Sequence, residues 1–209
     1  MSGFGRAAAL LSGLGLYGFS MALMVRAGLG LDPWDVFHQG LSLRTGLSIG
    51  TASAVVGVAV LLAWIPLRNR PGIGTLANVV VIAVSVDAAL SVLPAPAAMP
   101  ARIAMMLAAV LLNAVATVLY IGAGLGPGPR DGLMTGLVAR TGRSVRLVRT
   151  AIEVSVLVSG WLLGGAGHAG EREAAVDDDG LADDERRARR GEQDDGPRDV
   201  LGHRPAPGR

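Results

Sequence analysis

Two aspartates, Asp35 and Asp131, stand in matching surroundings 96 residues apart. The first lies in AGLGLDPWDVFHQGLSLRTGLS, Ala27 to Ser48, and the second in AGLGPGPRDGLMTGLVARTGRS, Ala123 to Ser144. Each aspartate is followed nine residues later by an arginine, Arg44 or Arg140. A carboxylate can hold a cation or the amino group of a small solute, and a nearby guanidinium can balance the charge. Two further acids, Asp87 and Glu153, fall inside apolar runs. An ionisable group in such a run marks an ion or substrate path by default. Asp35, Asp131, Arg44, Arg140, Asp87 and Glu153 are therefore candidates for lining a solute site. A plainer role competes with this one. The two aspartates suit the positive N-terminal ends of helices, and the two arginines suit C-terminal ends or headgroups.

Other chemistries find no support. The chain has no Cys, which rules out disulfides and Cys-ligated metal. His38, His168 and His203 show no metal-ligand spacing, and no Ser-His-Asp order or carboxylate pair points to hydrolysis. Gly28-Leu29-Gly30 and Gly124-Leu125-Gly126 lack the strand context of a nucleotide-binding loop. No enzyme activity and no cofactor are expected. Asn78 and Asn113 suit hydrogen bonds between helices.

The two stretches agree at twelve of twenty-two positions in register, without a gap. In each, Gly-Leu-Gly breaks the preceding helix, because glycine tolerates backbone angles that other residues avoid. Asp32-Pro33-Trp34-Asp35 then predicts a new helix, with Asp32 as N-cap, Pro33 at the first position and Asp35 at the third. Gly128-Pro129-Arg130-Asp131 repeats the pattern. Thr-Gly after Arg44 and after Arg140 ends a helix of about ten residues, which rises about 15 Å, half a bilayer. Each copy thus reads as a half-helix, re-entrant or interfacial, after spans one and four.

The elements around the copies are apolar. Mean hydropathy is +0.46, and only 4% of residues are aromatic. Uncharged or nearly uncharged runs cover about 7–25, 49–67, 72–93, 103–122 and 145–165. A bilayer crossing takes roughly 20 apolar residues. The fifth run reaches that length only by including Arg146 and Arg149, which can snorkel to the interface. The first run is expected to stay as a span rather than be cleaved as a signal peptide, since it is long and more spans follow. The formal net charge of +2 conceals two regions. Residues 1–165 hold 11 Arg against 5 acids, and residues 166–209 hold 8 Arg against 12 acids. The Arg residues of the first region sit between apolar runs, where they set topology rather than bind nucleic acid. With the N-terminus and Arg6 in the cytoplasm, the loops carrying Arg68 and Arg70, and Arg130 to Arg149, also lie inside. The first copy then faces out and the second faces in, because three spans separate them. That is the pattern of inverted-topology repeats in secondary transporters.

GLGLDPWDVFHQGLS with GLSIGTAS, RPGIGTLAN at Arg70–Asn78, and GAGLGPGPRDGLMTGL at Gly122–Leu137 resemble the YczE-like branch of the YczE/YyaS/YitT group of bacterial integral membrane proteins. The resemblance covers roughly residues 8–165. It implies a bacterial inner-membrane protein of several helices and assigns no activity or catalytic residue. The repeat further predicts that the segment starting at Gly72 has a partner starting near residue 168. Residues 166–209 contain no apolar run of spanning length and are rich in Asp, Arg, Gly and Pro. They are expected to be a disordered polar tail, favoured as the product of a frameshift near Gly165 over a native tail. The expected fold is an all-α transmembrane bundle, an inverted repeat of three-helix units with the sixth helix missing or replaced. The expected function is a small-solute transporter in the bacterial inner membrane, taking a small cationic or zwitterionic solute, with a homodimer as the candidate assembly. The alternative is a non-transporting membrane scaffold or accessory protein.

Overall fold

The computed structural model describes residues 2–165; the expectations for the tail, His168 and His203 fall outside them. Among the described residues every regular element is a helix: α1 (Gly3–Ala27), α2 (Pro33–Thr45), α3 (Ile49–Leu67), α4 (Ile73–Val92), α5 (Met99–Gly122), α6 (Pro129–Thr141) and α7 (Val145–Leu162). Four of these, α1, α3, α4 and α5, are long and apolar enough to cross a membrane. The fifth expected span, α7, is an 18-residue helix carrying Arg146, Arg149 and Glu153, and it is not among the four.

The repeat is written into the caps. Gly28 and Gly124 both take left-handed backbone angles, with φ of 59° and 61°. Each short helix is 13 residues long with proline in its first turn. Asp32 caps α2 by accepting from the Asp35 amide at 2.9 Å. Gly128 takes the same place before α6 without a side chain to do so. Gly46 and Gly142 end the two helices at φ of 73° and 65°. Ser48 and Ser144 then cap α3 and α7, accepting from Thr51 and Leu147 amides.

α1 and α5 form the central pair. Small residues allow their backbones to meet: a Cβ on Gly13 would fall 2.7 Å from the Tyr120 nitrogen. Ser20, Ala109 and Ala116 at the same crossing are fully buried. Close approach through small residues is how helices associate where lipid removes the hydrophobic drive. The pair runs antiparallel and is tied at both ends. Arg6 donates to the Ala123 and Gly124 carbonyls at 2.8 and 2.6 Å. Arg102 donates to the Ala27 and Gly28 carbonyls at 2.8 and 2.7 Å. Donor and acceptors of the first tie are the counterparts, 96 residues on or back, of those of the second.

The outer helices pack by the same exchange. α3 lies on α6, and α7 lies on α2. Trp64 of α3 fills the space over Gly132 and donates from Nε1 to the Pro129 carbonyl at 3.0 Å. At the corresponding contact Gly160 of α7 lies directly on the Val36–Phe37 backbone. The two contacts differ by a large side chain in one and none in the other. α4 packs on α1 and α3, and its N-terminus covers the second break. There Gly74 N–H donates to the Leu125 carbonyl at 2.9 Å, and Thr75 Oγ1 donates to the Pro127 carbonyl at 2.8 Å. Over the first break, a Cβ on Gly30 would meet nothing within 4 Å.

Candidate functional site

The N-terminal ends of α2 and α6 meet at a cavity of about 570 Å³. That volume lies within the range of about 300–1,000 Å³ usual for small-molecule sites. Its lining comes largely from counterpart positions of the two copies: Pro33 and Pro129, Trp34 and Arg130, His38 and Met134, Tyr17 and Asn113, Ser53 and Arg149, Gly57 and Glu153. Only the proline pair is identical, so a duplicated frame presents different chemistry from its two halves. α4 closes one flank with Asn78, Val79 and Ile82.

Trp34 and Arg130 stack on each other at the centre. The guanidinium carbon stands 4.8 Å from the Trp34 ring centroid, a cation–π distance. The same guanidinium lies 3.7 Å from Asp35 Oδ1 and 3.9 Å from Asp32 Oδ2. Asp35 is 3% exposed, and a carboxylate so buried requires a partner close by. It also faces His38, whose Nδ1 is 3.4 Å from Asp35 Oδ1. Neither of those two atoms has a well-formed hydrogen bond. Asp131 lines the cavity and takes a long hydrogen bond from the Tyr120 hydroxyl at 3.4 Å. Tyr120 meets Tyr17 edge to face at 6.2 Å between ring centres. Arg149 and Glu153 enter from α7 as a pair 2.8 Å apart. Two guanidinium groups, Arg130 and Arg149, and three carboxylates, Asp32, Asp131 and Glu153, therefore line the cavity, with Asp35 behind Arg130. The formal charge surplus of the lining is negative.

The six sequence candidates divide. Asp131 and Glu153 line the cavity, and Asp35 lies just behind it against Arg130. Asp87 stands at the start of α3, accepting from Ser48 Oγ at 2.6 Å and from the Gly50 amide at 2.8 Å. Arg44 donates to the Leu163 carbonyl at 3.2 Å, and Arg140 donates to the Pro66 carbonyl, so both sit at helix C-terminal ends. Neither lines the cavity. The cation beside Asp35 is Arg130, which sequence reasoning counted only among the loop charges. The available signal was its position: residue 130 is the counterpart of Trp34. Asp32, Tyr17 and Tyr120 were also missed as cavity groups, because nothing in their spacing sets them beside α6. Among the described residues no cluster of three or more His, Asp or Glu is placed to hold a metal.

Among the described residues the regular elements are all helices, and the four long and apolar enough to cross a membrane suit a polytopic membrane protein. Residues 4–171 match the model of a family of unknown function, DUF6198, and the chain belongs to that YczE-like family of membrane proteins. It is 42% identical over 156 residues to an uncharacterized protein of Haemophilus influenzae, covering 75% of this chain and 72% of that one. It is 36% identical over 157 residues to the uncharacterized membrane protein YczE of Bacillus subtilis, covering 74% of this chain and 73% of that one. No solved structure matches.

Proposed function

We propose that the chain is a permease-like carrier of a small cationic or zwitterionic solute, built as an inverted repeat in the bacterial inner membrane. One observation carries the reading. A polar, net-negative cavity lies where two interrupted segments meet, lined by counterpart positions of both copies. Substrate sites of secondary transporters lie at such repeat interfaces, beside the ends of broken helices. The reciprocal Arg6 and Arg102 ties support the inverted arrangement, since each reaches the break in the opposite copy. Irregular backbone at membrane depth is tolerated only where protein or water covers it. The ties and the α4 N-terminus provide such cover at the second break. The N-terminus is cytoplasmic in this reading, which puts the Arg68 and Arg143 loops inside.

Asp131 is the group we assign to the solute cation, with Tyr17, Tyr120 and Trp34 as its aromatic wall. Arg130 pairs with Asp35 and Asp32 and holds them in place. Uptake into proteoliposomes holding the full chain tests this, with labelled tetramethylammonium, ethanolamine and glycine as solutes and acetate as the anionic control. Uptake of the cations or the zwitterion is expected, with acetate excluded. Asp131→Asn should lower uptake at least about tenfold, equivalent to about 1.4 kcal/mol. A folded protein that moves none of these solutes would shift the assignment to a scaffold or accessory protein.

A further inference from the structure

His38 and Asp35 form a buried ionisable pair that solute binding at Asp131 leaves unused. They stand three residues apart on α2 and so share one face of the helix. His38 is 1% exposed and lies on the wall of the polar cavity, and Asp35 lies behind that wall. His38 Nδ1 and Asp35 Oδ1 are 3.4 Å apart, yet neither atom has a well-formed hydrogen bond. Buried polar atoms are nearly always satisfied, so two exceptions that face each other call for something shared between them. A gap of 3.4 Å admits a proton and nothing larger. The counterpart of His38 is Met134, so the first copy alone carries the pair.

We propose that the carrier exchanges a proton for its cation, and that His38 and Asp35 hold the proton. This rests on the carrier reading above and names its coupling ion. Histidine is the side chain whose charge changes nearest neutral pH. The other charged and titratable groups around the pair come from every neighbouring element. Arg130 of α6 stands 3.7 Å from Asp35, and Asp32 caps α2. Arg149 and Glu153 face the cavity from α7, Asp131 from α6, Tyr17 from α1 and Tyr120 from α5. α3, also packed on α2, has no ionisable residue between Ile49 and Leu67. Carboxylates outnumber guanidinium groups here, so a proton on the pair and a cation at Asp131 neutralise the same negative surplus. Two positive charges in one poorly screened cavity oppose each other. Each therefore weakens the binding of the other by the same factor. The proton lies between His38 Nδ1 and Asp35 Oδ1 while the solute is absent. Arrival of the cation from one side releases that proton to water on the same side. A proton from the other side then displaces the cation there. One positive charge crosses in each direction per cycle.

Binding to the full chain in lipid nanodiscs tests this, with proton release followed by a pH dye in weak buffer and empty nanodiscs as the control. The probe is tetramethylammonium, which has no titratable proton of its own. Within the range of about pH 8 to 5 its affinity should fall about tenfold per unit as pH drops, the limit for one proton displaced per cation. About one proton should appear in solution per cation bound in that range. The wild-type chain alone decides this arm. His38→Gln should abolish both the release and the pH dependence. His38→Met, which places there the residue that the second copy carries, should do the same. In proteoliposomes an acid interior should drive tetramethylammonium above its outside concentration. Binding without proton release or pH dependence overturns the exchange and leaves the carrier standing. Proton release that survives both substitutions overturns the assignment to His38 and moves the proton to another acid of the cavity. Absence of binding overturns this proposal and the carrier reading together.

Discussion

Arg130 joins the two copies through a single side chain. It stacks on Trp34 from its own counterpart position and holds two aspartates of the other half within 4 Å. Removing it leaves Asp35 buried without a cation, which costs about 3–5 kcal/mol when a buried pair is broken. Arg130→Ala should therefore lower the thermal unfolding temperature in detergent, and Arg130→Ala with Asp35→Asn should recover most of the loss. Failure of the double variant to recover would show that the pair contributes nothing to stability. Asp87 has a different expectation. It spends both oxygens on the start of α3, so Asp87→Asn should reduce stability by about 1–3 kcal/mol and leave solute affinity unchanged. A loss of affinity at unchanged stability would move Asp87 into the site. At this scale the sequence was half informative. The cap at Asp32 was readable because a cap acts on its own neighbours. Arg130, Tyr17 and Tyr120 were not, since their roles come from helices far apart in the chain.

The helices themselves were the most legible feature. Expected spans at 49–67 and 72–93 correspond to Ile49–Leu67 and Ile73–Val92, because lipid forces long, continuous apolar runs. Two short helices follow the first and fourth spans, Pro33–Thr45 and Pro129–Thr141, set by proline at one end and a left-handed glycine at the other. α7 was the least certain element, as its three charges dilute the apolar signal. What spacing could not reveal is how α1 and α5 are tied. Each tie is a guanidinium donating to two carbonyls left open by a helix end, and hydrogen bonds to a charged group are worth about 1.5–3 kcal/mol. Arg6→Ala and Arg102→Ala should each destabilise by about 2 kcal/mol or more, and by similar amounts, in denaturation within mixed micelles. A large effect at one end only would mean that the halves are not equivalent in load. Trp64→Ala should cost about 3–5 kcal/mol, since it empties the space over Gly132 and leaves the Pro129 carbonyl without its donor. The counterpart contact at Gly160 has no such side chain to lose.

Among the described residues, contacts between helices of the two copies match under exchange of the copies. α3 with α6 matches α7 with α2, and α2 with α3 matches α6 with α7. α4 is the exception, because its counterpart would begin near residue 168, beyond the described residues. From the composition of residues 166–209 we propose a frame change near Gly165. Resequencing should find a shifted frame there that restores an apolar run, and an unbroken frame with the same tail in independent isolates would count against it. In the proposed inverted arrangement the two copies face opposite sides of the membrane. The absence of Cys makes it directly measurable. Leu47 and Arg143 are counterparts, and both are exposed just beyond the short helices. A single cysteine is placed at each in separate variants, Leu47→Cys and Arg143→Cys. Intact cells are then labelled with a membrane-impermeant thiol reagent, with lysed cells as the control. Labelling is expected at position 47 in intact cells, and at position 143 only after lysis. Labelling of both positions in intact cells, or of 143 alone, would contradict the inverted arrangement and the carrier built on it.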